Sequence, residues 1–138
     1  MISLGFLSCD SDDYPHTEVP SVILNKFWIH FPNATDVEFT KSGENFEVEF
    51  EYKGQDAEAL IEQPGIILQE KIEVSFEELP VEIQKSVRKI GRHNIKNFER
   101  VKTKEQIIYQ MKEKRFWFDK KMVMDEAGNL VSASNYWD

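Results

Sequence analysis

Two stretches of the chain carry apolar residues at helical spacing, and each is followed by segments that alternate apolar with polar. Val19-Pro20 opens the first, where Ile23, Phe27 and Phe31 share a face and Leu24 and Trp28 flank it. Leu79-Pro80 opens the second, where Leu79, Ile83, Val87 and Ile90 recur in the same way. Recurrence at i, i+4 and i+7 or i+8 predicts an amphipathic helix. Proline suits a helix start, because the amide it lacks would have no partner there. Pro32 predicts the end of the first helix and Gly91 the end of the second. Ser75 and Glu78 have capping-box spacing, but Pro80 follows too closely, so a short turn over Phe76–Leu79 is expected before the helix.

After the first helix, 36–39 alternates, Lys41-Ser42-Gly43-Glu44 turns, and Phe46, Val48, Phe50 and Tyr52 alternate with Glu47, Glu49, Glu51 and Lys53. This is the clearest strand signal in the chain. Turns at Lys53-Gly54-Gln55 and Gln63-Pro64-Gly65 bound two more strands, ending near Val74. After the second helix, strands are expected at 98–102, 107–112, 115–125 and 130–137, with turns at 103–105 and 127–129. The order is α-β-β-β-β, twice. Short turns between strands favour antiparallel pairing, so the predicted fold is α+β, an extended antiparallel sheet with both helices on one face. The boundaries are 1–18 for a leader remnant and tether, 19–74 for repeat one and 75–138 for repeat two.

The predicted core is Ile23, Phe27, Phe31, Phe46, Val48, Phe50, Ile83, Val87 and Ile90. With 138 residues, 41% of them hydrophobic, and one cysteine, the chain folds without an internal disulfide. The net charge of −8 is divided unevenly: residues 1–74 hold 15 acids and 4 bases, and residues 75–138 hold 10 acids and 13 bases. An acidic half of this size repels a phosphate backbone, which argues against nucleic acid as a partner.

Residues 1–8 are apolar or small, Cys9 follows, and Asp10-Ser11-Asp12-Asp13 comes next. That abrupt change resembles the end of a bacterial lipoprotein signal peptide, in which Cys9 is acylated and the acidic run is a tether. A basic start and a full-length apolar core are missing from it. The location this implies is periplasmic or cell-surface, with a lipid anchor in the outer membrane as the membrane contact.

Val19-Pro20, Phe31-Pro32-Asn33-Ala34-Thr35-Asp36-Val37-Glu38-Phe39 and Asn45-Phe46-Glu47-Val48-Glu49-Phe50 resemble the opening of the PepSY-like family. Ser75-Phe76-Glu77-Glu78-Leu79-Pro80 and Asp125-Glu126-Ala127-Gly128-Asn129-Leu130 resemble that family's second helix start and last hairpin. The likeness spans 19–135. It implies a tandem repeat similar in fold to the secreted beta-lactamase inhibitor protein, and an exported protein that binds another protein. The chain departs from the pattern at Gln63-Pro64-Gly65 and at Gly91-Arg92-His93-Asn94.

Chemistry is sparse. His16, His30 and His93 have no ligand spacing, and no Cys-x-x-Cys, His-x-x-x-His or phosphate loop occurs. No catalytic residue, metal ligand set or cofactor is therefore assigned. Glu47, Glu49 and Glu51 form a row spaced about 7 Å apart on one strand face, read as solvated or as a cation binder. Phe116-Trp117-Phe118 sits within the predicted strand 115–125, which would turn Phe116 and Phe118 toward the helices. Trp117, Asp119, Lys121 and Val123 would then stand on the open face. The candidate binding face is Trp117, Asp119 and Lys121 with Glu47, Glu49 and Glu51. The expected function is a non-enzymatic binding module for an envelope or extracellular protein, with a sensor of a small ligand or cation as the alternative.

Overall fold

A computed structural model describes residues 18–138. They fold as α+β, with two ten-residue α-helices and eight strands hydrogen-bonded in chain order. Helix α1 spans Ser21–His30 and is followed by β1 (Thr35–Ser42), β2 (Asn45–Tyr52), β3 (Gln55–Glu62) and β4 (Ile66–Glu73). Helix α2 spans Val81–Ile90 and is followed by β5 (Ile95–Thr103), β6 (Ile107–Lys114), β7 (Asp119–Asp125) and β8 (Leu130–Val131). The chain divides into two compact units within β4, one up to Glu70 and one from Lys71 to Asp138.

Each helix begins directly after its proline, Pro20 or Pro80. Before α2, the short turn expected from the sequence is a single 3-10 turn, Phe76–Glu78, in which the Glu78 carboxylate accepts the Ser75 N–H at 2.7 Å. Helix α1 closes with the Phe31 N–H donating to the Phe27 carbonyl at 2.8 Å, ahead of Pro32, and α2 closes with the Gly91 N–H donating to Val87 at 2.9 Å.

In the first unit Ile23, Phe27 and Phe31 pack with Phe39, Phe46, Val48, Phe50, Ala59 and Ile61. Phe27 is the hub: its ring lies 5.0 Å from Phe50 and 5.6 Å from Phe39, both edge-on. Edge-on contacts set the positive rim of one ring against the negative face of another. In the second unit Ile83 and Val87 pack with Phe98, Tyr109, Met111, Met122 and Met124. Of the predicted core, Ile90 alone is only partly buried.

The repeat is visible in backbone detail. Pairing slips between Thr35 and Glu38 in β1 and between Lys96 and Glu99 in β5. At each slip an Asx residue takes positive φ, Asp36 at 52° and Asn97 at 58°. Short polar side chains tolerate this conformation, which a bulged strand uses to take in its extra residue. The alignment makes Glu38, Glu49 and Glu58 the counterparts of Glu99, Gln110 and Val123, since Glu38 pairs with Glu49, Glu49 with Glu58, Glu99 with Gln110 and Gln110 with Val123.

Two strand expectations are corrected. Residues 115–118 are not strand: β6 pairs Lys114 with Asp119 in β7, and the residues between them form the hairpin's loop. Phe116 and Phe118 do not face the helices; they are 89% and 59% exposed. The strand expected over 130–137 stops at Val131 and gives way to a 3-10 turn, Ala133–Asn135. Leu130 and Val131 are enough to pair with β7, and the small polar run Ser132-Ala133-Ser134-Asn135 favours a turn over a longer ladder.

Candidate functional site

The β6–β7 hairpin carries the aromatic triplet at its tip. The Arg115 N–H donates to the Phe118 carbonyl at 2.9 Å and closes the loop. A loop this short has no interior, so its side chains project into water. Trp117 is 84% exposed and meets Phe116 edge-on at 4.6 Å. Below the tip the hairpin is braced by ion pairs, Arg115 to Glu113 at 3.0 Å and Lys96 to Asp119 at 3.1 Å. Exposed pairs of this kind add little stability, but they orient the stem. Lys114 and Lys120 add further positive charge beside the aromatics. Trp117 therefore stands at a hairpin tip and not on the sheet face where it was expected.

The sheet face turned away from α2 is not open in the second unit. Val101, Ile108 and Val123 form a small separate core there, covered by Val131, Tyr136 and Trp137. Val123, expected on an open face, is fully buried. Gln110, also fully buried, lies on the same face. Its amide nitrogen donates to the Trp137 carbonyl at 2.7 Å and to Glu99 at 2.8 Å, and its oxygen accepts the Trp137 N–H at 2.9 Å. Lys71 donates to the same carbonyl at 3.0 Å, and its ammonium lies 4.8 Å from the Trp137 ring centre. Lys121 donates to the Asp138 carboxylate at 2.6 Å and lies over Tyr136 at 5.2 Å. That hydrogen bond holds Asp138 below the usual carboxylate range. Burial, reinforced by the charges of Glu99, Asp138 and Asp119, pushes the Tyr136 phenol up to about 12.

In the first unit Glu47, Glu49 and Glu51 lie on the face of β2 opposite Phe46, Val48 and Phe50. Glu49 is flanked across the strands by Glu38 and Glu58, and Glu51 by Thr35 and Asp56. Among the described residues no group of three or more His, Cys, Asp or Glu is arranged to hold a metal ion. His30, at the end of α1, pairs with Glu70 at 3.0 Å as a rim residue.

The sequence-predicted candidates thus fall into separate places. The acidic row belongs to the first unit; Trp117, Asp119 and Lys121 belong to the second, each with different neighbours. Cys9 lies outside the described residues. Gln110 and Lys71 were missed by sequence reasoning. The available signal was a lone glutamine inside the apolar run Ile107-Ile108-Tyr109-Gln110-Met111, since a polar group in such a strand needs a specific partner.

No family model and no curated protein matches the sequence. Solved structures do match in fold. A BLIP-like protein from Bacteroides fragilis superposes with a TM-score of 0.71 at 14% identity, over 82% of this chain and 83% of that one. The fold is similar to a BLIP-like fold. A "putative periplasmic" protein from Bacteroides eggerthii gives 0.75 at 12% identity, over 83% and 86% of the two chains. A DUF2874 family protein from Bacteroides ovatus gives 0.72 at 17% identity, over 86% and 91%. Identities this low speak to architecture, and function has to be argued from the residues.

Proposed function

We propose that this chain is an exported, non-enzymatic protein-binding module of the bacterial cell envelope, related to the PepSY-like and inhibitor-like proteins. The observation that carries this reading is the hairpin tip, where Phe116 and Trp117 are 89% and 84% exposed. Adjacent exposed aromatics on a braced hairpin suit insertion into a partner's pocket, because Trp and Tyr-type side chains dominate interface hot spots. Asp119 and Lys121 of the candidate face brace the structure through Lys96 and Asp138, so the contact energy is assigned to the aromatics. Glu47, Glu49 and Glu51 supply an acidic surface that steers a basic partner. The likeness to a BLIP-like protein and to the Bacteroides eggerthii protein supports export and binding. The run 1–13 around Cys9 supports a lipid anchor, and no described helix is long and apolar enough to cross a membrane.

The test places a photo-cross-linking amino acid at Trp117 and, as control, at Lys104 in another turn, in cells expressing the full chain. A discrete envelope-protein adduct from position 117, absent from 104, is the expected result. Equal or absent adducts at both positions would reject the tip as the binding element. The mass of the membrane-associated chain separately reports whether Cys9 is acylated.

A further inference from the structure

The segment 136–138 is held to the second unit's sheet as a ligand is held, not as a strand is. One side-chain amide, from Gln110, pairs with both the N–H and the carbonyl of Trp137. Such pairing reads main chain and is indifferent to the side chain it carries. Lys71 reinforces the carbonyl contact, and Lys121 takes the carboxylate that follows. The floor is Val101, Ile108 and Val123, an apolar patch suited to aromatic rings. The lead-in, 132–135, is exposed, and its hydrogen bonds are local: Ser134 and Asn135 bond back to Ser132, and Tyr136 to Ala133. Two partly buried aromatics between an exposed lead-in and an exposed Asp138 open far more readily than the central strands. On opening, Gln110 keeps Glu99 but loses both of its bonds to the Trp137 main chain, and the apolar floor meets water, so the vacated face is primed for a replacement of the same chemistry.

We propose that this face, lined by Val101, Ile108, Gln110 and Val123 with Lys71 and Lys121 at its rim, is a peptide-binding site occupied by the chain's own 136–138 segment. Its ligand is an extended partner segment carrying two aromatic residues followed by an acidic one, which displaces the resident triplet. The occupant's chemistry is the one already seated there, and Lys121, which bonds the Asp138 carboxylate, sets the requirement for an acid. This site is separate from the hairpin tip and does not depend on the role given to Trp117.

The probe is a dye-labelled peptide, Ser-Ala-Ser-Asn-Tyr-Trp-Asp, blocked at both ends and titrated into the full chain. The resident segment acts at high effective concentration, so it lowers the apparent affinity by the fraction of time the site is vacant. Full-length Tyr136→Ala/Trp137→Ala should therefore bind the peptide at least roughly tenfold tighter than the natural chain. Adding Lys121→Glu, or replacing the peptide's Asp by Lys, should reverse that gain. A folded double variant that takes up no peptide overturns the proposal, as does binding insensitive to Lys121→Glu. A concentration-dependent dimer that exchanges 136–138 between copies also overturns it, since the occupant is then a second copy. Should the double variant fail to fold, hydrogen exchange on the natural chain decides. The Trp137 amide is expected to exchange at least roughly tenfold faster than the β6 amides; equal rates would make the segment part of the cooperative core and reject the site.

Discussion

Gln110 and Trp137 face each other across the second unit's sheet in a two-way bond: the amide oxygen accepts the Trp137 N–H at 2.9 Å while the amide nitrogen donates to its carbonyl at 2.7 Å. Replacing Gln110 by Leu keeps much of the volume and strands the Trp137 N–H, while Lys71 still holds the carbonyl. An unsatisfied buried group costs about 1–3 kcal/mol, so Gln110→Leu should lower stability by that amount in a urea melt. It should also accelerate exchange of the Trp137 amide. A melt unchanged from the natural chain would show that water replaces the glutamine without loss.

Phe27 is fully buried and Phe50 nearly so, and their rings meet at 5.0 Å. Truncating either to Ala removes a large apolar volume that the helix and sheet cannot close over. The expected loss is about 3–5 kcal/mol for each. Because the two rings touch, the double variant should lose less than the sum. A loss below about 1 kcal/mol for Phe27→Ala would contradict its place at the centre of this core.

Two glycines of similar backbone conformation should respond differently to alanine. Gly54 has φ +80° with nothing within 4 Å of a built Cβ, whereas Gly128 has φ +86° and its Cβ would meet the Glu82 carbonyl oxygen at 2.6 Å and the Ser86 hydroxyl at 2.7 Å. Gly54→Ala bears the left-handed backbone cost alone, about 1–2 kcal/mol. Gly128→Ala adds a clash with α2 main chain and disturbs the Ser86 hydrogen bond to the Gly128 carbonyl at 2.7 Å. Thermal melts of the two variants should rank Gly128→Ala clearly lower, and an equal fall would mean that the turn moves away from the helix.

Tyr136 ties the covering segment to alkaline pH. Its phenol is pushed up to about 12 by burial and by nearby carboxylates, against an ordinary value of about 10. The folded state favours the neutral phenol. Its contribution is therefore complete below pH about 10 and is lost as pH rises through the folded value. Phenolate absorbance should show a late component that Tyr136→Phe reduces. Tyr109, also raised by burial, is shifted in the same direction. A titration in which Tyr136→Phe removes an early component would contradict the packing of this segment.

Local pattern alone determined the two helices, the eight-strand order and a core set of which all but Ile90 is buried. Each of these rests on periodicity within a dozen residues: Ile23, Phe27 and Phe31 on a helix, Phe46, Val48 and Phe50 on a strand, with Pro20, Pro32, Pro80 and Gly91 as punctuation. Tertiary structure decided what happens on the second unit's sheet face turned away from α2, because that depends on residues far apart in sequence. Gln110 meets Trp137, and Lys71 meets it too, through contacts that no local period encodes. The two repeats use equivalent positions differently: Glu49 is exposed in the first, whereas Gln110 is buried in the second. Phe116-Trp117-Phe118 was misread for a related reason. Apolar residues in a row signal a buried strand on average, but the pairing of Lys114 with Asp119 leaves these three no sheet to join, and the chain turns there with its aromatics in water.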